Sequence, residues 1–151
     1  MTNHERGLQN NTMKANAAGE NDLQRLLDSM APELMNGDYV FCSVKESNSS
    51  DYADANPIAS FQEREGLSLV LLKESADRHA LTYSNIYRCL TLGVHSSLDA
   101  VGLTAAVTTR LAENQISANV IAAYFHDHIF VPSDRADEAL GLLSGMRIDR
   151  N

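Results

Sequence analysis

The stretch NVIAAYFHDHIFVPSDRAD (residues 119–137) decides the fold. It runs from an apolar segment through a polar break into a second apolar segment, and then into an acidic helix start. Val, Ile, Tyr and Phe suit a pleated, half-buried surface, while His126 and Asp127 suit a tight turn between the two runs. The spacing predicts a hairpin, ANVIAAYF against HIFVP, with Tyr124 and Phe125 on opposite faces of the first strand. A helix then runs from a cap at Ser133 through Ala136, Ala139, Leu140 and Leu143 to Gly145. Residues 57–77, PIASFQEREGLSLVLLKESAD, follow the same plan, with a hairpin closing at Gly66 and a short helix in KESADRHA. The chain therefore carries a degenerate internal repeat.

Working outward from these hairpins, IYRCLTLGV (86–94) reads as a strand with Leu90, Leu92 and Val94 on one face. Leu103, Val107 and Leu111, flanked by Ala100 and Ala106, then form the apolar stripe of a helix ending near Asn114. DYVFCSV (38–44) reads as a short strand, and the polar KESNSSDYADANP behind it as a loop or at most one helical turn. Toward the N-terminus, Asp22 caps a helix marked by Leu23, Leu26, Leu27 and Met30, stopping near Pro32 or Gly37. That helix, extending to about Met35, is expected to cover the first lobe. Residues 1–20 lack any period and read as a flexible tail. The expected organisation is α+β on the ferredoxin-like plan, two lobes in tandem with the first degenerate, over residues 21–82 and 83–151. MRIDRN at the C-terminus is too short and polar for a final strand. The missing edge must come from the other lobe, the N-terminal segment or a second chain.

Composition sets the class of partner. A chain of 151 residues, 44% hydrophobic, buries roughly 70% of its unfolded surface and is long enough for a proper core. A net charge of −8 opposes nucleic acid and anionic membranes, which select basic surfaces. No apolar run approaches the ~20 residues of a membrane span. Cys42 and Cys89 both lie in apolar runs and read as reduced, buried thiols of a cytoplasmic protein.

The candidate site lies where strand passes to helix, in HSSLDAVGLTAAV (95–107). Such a seam leaves backbone N–H groups without intrahelical partners, and Gly102 removes a Cβ that would hold a ligand away from them. Two readings stand on the residues alone. In one, the seam amides beside Gly102 take the carboxylate of a zwitterion, and Asp99 or Asp127 takes its amine. In the other, Asp99 or Ser97 is an N-cap and Gly102 merely permits close packing.

Residues 98–143 resemble an ACT domain, a small βαββαβ module that binds amino acids and regulates other proteins. The matching pieces are DAVGL opening a helix, LAENQIS closing it, IAAYFHDHIFV as the hairpin and ADEALGLL as the last helix. From about residue 37 onward the chain is similar to small two-lobed bacterial ACT proteins, and to the ACT lobes of eukaryotic arginine sensors. The resemblance implies a free amino acid bound at a lobe or chain interface, its carboxylate on the backbone at Val101, Gly102 and Leu103, its cationic groups on Asp99 and Asp127, and His95, Ser96, Ser97, Thr104 and His126 around it. Two acidic groups there would favour a basic amino acid. The resemblance also implies a homodimer, no cofactor and no catalysis. The first lobe lacks a DxxGL seam. Two alternatives remain: a ligand-free dimerisation module, and a metal site using His95, His126 and His128, which supply nitrogen donors at close spacing. Catalysis has little support, because no nucleophile-elbow glycines flank Ser96 or Ser97.

Overall fold

The computed structural model describes residues 22–45 and 48–146. The expected tail and the question of a strand after Met146 lie outside the described residues. The elements are α1 (Leu23–Ser29), β1 (Pro32–Leu34), β2 (Tyr39–Val44), a 3-10 segment (Ser49–Ala55), β3 (Ala59–Glu63), β4 (Gly66–Leu72) and α2 (Lys73–Arg78). They continue with β5 (Tyr87–Leu92), α3 (Leu103–Glu113), β6 (Asn119–Ala122), β7 (Asp127–Pro132), a 3-10 turn (Ser133–Arg135) and α4 (Ala136–Ser144). The strands form one sheet in the order β3-β4-β2-β5-β7-β6, with β1 paired to β5 beside this path, and every pairing is antiparallel.

Two ferredoxin-like lobes are joined through this sheet. In the second, β5, α3, β6, β7 and α4 follow one another, and the fourth strand is β1, whose Pro32–Leu34 pairs with Leu92–Leu90. Gly93 N donates to the Ala31 carbonyl at 3.0 Å and Met35 N to the Cys89 carbonyl at 2.8 Å, continuing the pairing at both ends. The N-terminal segment therefore supplies the missing edge. Pro32 is tolerated because an edge strand has an unpaired side to receive its missing N–H. In the first lobe, β2, the 3-10 segment, β3, β4 and α2 run in the same order, and β2 meets β5 at a single position, Tyr39 opposite Tyr87.

Alternation divides the sheet's two faces. Leu90 and Leu92 of β5, Ile129 and Val131 of β7, and Val94 pack beneath α1, α3 and α4 through Leu26, Met30, Leu103, Val107, Leu111, Ala136, Ala139 and Leu143. Val40, Cys42, Leu67, Leu69 and Leu71 pack with Ala55 and Ala76 in the first lobe. Each fully buried Leu or Val here contributes roughly 1.5–3 kcal/mol relative to exposure. Because Tyr39 and Tyr87 are directly opposed, both helix layers lie on one side of the sheet. The other face holds Tyr39, Val70, Cys89 and Phe130, with Phe41 edge-on to both Tyr87 (5.3 Å) and Phe130 (5.4 Å) across the joint. Cys42 and Cys89 thus face opposite sides of the sheet, and both are free thiols.

Three expectations are corrected. The N-terminal helix ends at Ser29 and packs its buried Leu26 into the second lobe's core, not over the first lobe, since Pro32 and the free edge of β5 draw the following residues into the sheet. The second hairpin does not turn at His126-Asp127. Ala122 is opposite Asp127, and Ala123 N donates to the His126 carbonyl at 3.0 Å, so Tyr124 and Phe125 form the tip. They pack edge to face there, 4.9 Å apart, and neither lies in a strand. The last helix begins after a 3-10 turn, and Ser133 supplies no side-chain cap. The first hairpin does close at Gly66, with Glu63 opposite it; a Cβ there would lie 2.6 Å from the Val44 carbonyl oxygen, at φ 151°.

Candidate functional site

The seam leaves β5 at Leu92, passes Val94 into the core, and reaches the start of α3 at Gly102. Gly102 is the N-cap residue of α3, with φ 104° and no side-chain cap. Neither Asp99 nor Ser97 caps that helix. Instead the Asp99 N–H donates to Ser97 Oγ at 3.1 Å, a local turn that leaves the Asp99 side chain in solvent. Gly102 also makes room: a Cβ there would approach Leu23 Cδ2 of α1 to 3.0 Å.

A cleft of about 70 Å³ opens beside this seam, lined by Ser96, Ser97, Leu98, Ala100, Leu103, Thr104, Ala122 and Asp127. Five of the residues expected from the sequence therefore share one concavity: Ser96, Ser97, Leu103, Thr104 and Asp127. Asp127 opens β7 on the helix-covered face, two positions before Ile129, which explains how a carboxylate is only 8% exposed. Burial pushes its pKa above the usual carboxylate range, opposed by a hydrogen bond with Ser96 and the nearby imidazoles of His128 and His126. Ser96 is itself buried. Opposite these lie the first turns of α3, where the N–H of Leu103, Thr104 and Ala105 precedes the first intrahelical bond, donated by Ala106 to the Gly102 carbonyl. Chemically, the cleft offers a buried acid and a helix amino end to one small polar group.

The other expected residues do not line this cleft. Val101 is 83% exposed, and its side chain turns away. His95 lies beside the hairpin tip, with ring centroids 5.1 Å from Phe125 and 6.5 Å from Tyr124. The histidines of the hairpin engage separate partners: His126 Nδ1 lies 3.2 Å from the Val94 carbonyl, and His128 Nδ1 lies 2.9 Å from Thr91 Oγ1. Burial lowers the pKa of His128, helped by His126 and opposed by Asp127. Among the described residues, no three His, Cys, Asp or Glu side chains are grouped as a metal site. Leu98, Ala100 and Ala122 also line the cleft; in the sequence they read as spacers and strand residues, and no pattern singled them out.

A larger open depression of about 560 Å³ lies among Asn36, Gly37, Asp38, Leu72, Lys73, Glu74 and Asp77. Its cation is committed, since Lys73 Nζ donates to Asp77 Oδ2 at 2.9 Å and Tyr83 donates its hydroxyl to Asp77 Oδ1 at 2.7 Å. No helix of the described residues is long and apolar enough to cross a membrane.

Two tandem modules of one α+β, ferredoxin-like class are thus defined by the topology. The chain belongs to the ACT domain family: one ACT model matches residues 18–88 and a second matches residues 85–145. A Vibrio cholerae protein of unknown function, described as a possible transport protein, is 54% identical, with a TM-score of 0.77 over 83% of this chain and 96% of its own. An Agrobacterium tumefaciens protein is 19% identical, with a TM-score of 0.66 over 78% of this chain and 89% of its own. The regulatory subunit of aspartate kinase from Thermus flavus shares the fold at 8% identity, with a TM-score of 0.54 over 78% of this chain and 96% of its own. No curated protein matches the chain.

Proposed function

We propose that the protein is a regulatory module that binds a free amino acid at the seam of its second lobe and performs no catalysis. The observation that carries this reading is the meeting of a buried acid, Asp127, with the amino end of α3 across one small cleft. Asp127, with Ser96 holding it, receives the ligand's ammonium. The free N–H groups at Leu103 and Thr104 receive its carboxylate, and the hydroxyls of Ser97 and Thr104 flank the head group. Gly102 sets the direction in which α3 starts. His95, Asp99, Val101 and His126 belong to the surroundings of the site. We further propose that two copies associate through an exposed sheet edge, β3 or β6, and that ligand occupancy biases that association.

A thermal-shift panel of the twenty amino acids on dialysed full-length protein tests the reading. Ligand at about 100 times its Kd adds roughly 2.7 kcal/mol, which for a chain of this size raises Tm by about 5–10 °C. A flat panel refutes amino-acid binding.

A further inference from the structure

We infer that the ligand is an amino acid with a large apolar or aromatic side chain, an inference that rests on the amino-acid reading of the same cleft. The first observation is size. At about 70 Å³ the cleft has room for roughly two waters, far below the several hundred Å³ of a site that encloses a whole ligand. It accepts the ammonium and carboxylate of an amino acid and leaves the side chain outside.

The second observation is what surrounds the opening. Leu98 lines it, and Tyr124 and Phe125 form the hairpin tip that joins the lining residues Ala122 and Asp127. All three are exposed, and His95, which precedes the lining residue Ser96, adds a third ring beside the two aromatics. Exposed apolar groups on the segments that border a cleft are an unsatisfied surface of the kind that marks a binding site. A side chain leaving the cleft lies across them, and an aliphatic or aromatic one gains from the contact.

The third observation concerns charge. Within the cleft the carboxylate is Asp127, which the ligand's ammonium neutralises. Asp99 lies in solvent and does not line the cleft, so it gives a basic side chain a water-screened partner of little worth. The preference for basic amino acids expected from a pair of acids is thereby removed. A guanidinium also stacks on aromatic rings, so arginine is the informative competitor.

Calorimetric titration of the dialysed full-length protein with L-phenylalanine, L-leucine, L-methionine, L-arginine, L-lysine and glycine tests this. The expected result is that at least one of the first three binds tenfold or more tighter than glycine and tighter than arginine or lysine. The exposed substitutions Tyr124→Ser and Phe125→Ser together should bring its affinity down to that of glycine without lowering Tm. Tightest binding by arginine or lysine overturns the ligand class and leaves amino-acid binding standing. Absence of binding by every amino acid overturns both. If the double substitution shifts sedimentation toward monomer and leaves ligand preference unchanged, the aromatic tip is a contact between copies and the inference fails.

Discussion

Replacing Gly102 with alanine tests the seam most directly. At φ 104° and ψ −19°, Gly102 occupies backbone space that L-residues visit at a cost of about 1–3 kcal/mol. A second effect is steric: the new Cβ meets Leu23 Cδ2 at 3.0 Å, a few tenths of an ångström too close. Leu23 is a partly exposed residue in the first turn of α1, and the contacting atom ends a flexible side chain, so a small rotation relieves it. The backbone effect therefore dominates. With each kcal/mol worth about 2–4 °C for a chain of this length, Tm should fall by roughly 2–12 °C. Urea unfolding of the parent, Gly102→Ala, Leu23→Ala and the double variant separates the two causes. If backbone strain dominates, the two losses add to within about 0.5 kcal/mol. A double variant as stable as Leu23→Ala alone would refute the reasoning, because it would place the whole cost in the clash.

Three further outcomes are expected. Burial raises the pKa of Asp127, so the folded state holds that proton more tightly than the unfolded chain, and its contribution to stability declines as pH rises from the ordinary carboxylate value through the raised one. Asp127→Asn should therefore be at least as stable as the parent in urea at pH 7 while losing ligand-induced stabilisation; a loss above about 1 kcal/mol, the worth of one hydrogen bond, contradicts this. His79 places Nδ1 2.9 Å from the Ser75 carbonyl and Nε2 3.2 Å from Asp54, two acceptors that only the imidazolium satisfies together, and its pKa is raised by those bonds. That clasp is complete below the ordinary histidine value and lost as pH rises through the raised one, so NMR titration should give a lower pKa in Asp54→Asn; identical titration curves rule the clasp out. Finally, burial pushes the Cys89 thiol up to about 11 and raises that of Cys42, so Ellman's reagent should find no reactive thiol in native protein and two in urea. Rapid native reaction of either cysteine contradicts the placement.

The sequence made legible those elements whose apolar period matched a single buried face. Leu90, Leu92 and Val94 alternate because that face of β5 meets three helices, and Leu103, Val107 and Leu111 recur because α3 is wet on its other side. The first hairpin was equally plain, since Gly66 is forced by both φ and the Val44 carbonyl. What escaped was non-local. β1 is three residues long and begins with proline, so nothing within it reports that β5 has a free edge far along the chain. The hairpin tip was misplaced because local turn chemistry favours His and Asp over Tyr and Phe. The register puts Asp127 in the strand, and the Tyr124–Phe125 pair packs against itself at the tip. Of the residues that line the cleft, Ser96, Ser97, Leu103, Thr104 and Asp127 were legible in the sequence, because a strand-to-helix seam and a polar break in a hairpin are local patterns. Asp99 and His126 were not placed by the sequence: Asp99 is held through its backbone N–H on the Ser97 hydroxyl with its carboxylate in solvent, and His126 meets the Val94 carbonyl, 32 positions away, which no local pattern reports.

The short strand β1 ties the two lobes together in time as well as in space. The ribosome releases α1 and β1 before any part of β5 exists, and the whole first lobe is made in between. Those early residues must wait, with Leu26 and Met30 unburied, until the strand that accepts them arrives. The first lobe is in effect an insertion into the second, looped out between its edge strand and its central one. Separation of the halves by a cut in the connection would therefore not yield two modules. The N-terminal fragment would carry away a strand that belongs to its neighbour, leaving one lobe with a surplus arm and the other with an open edge.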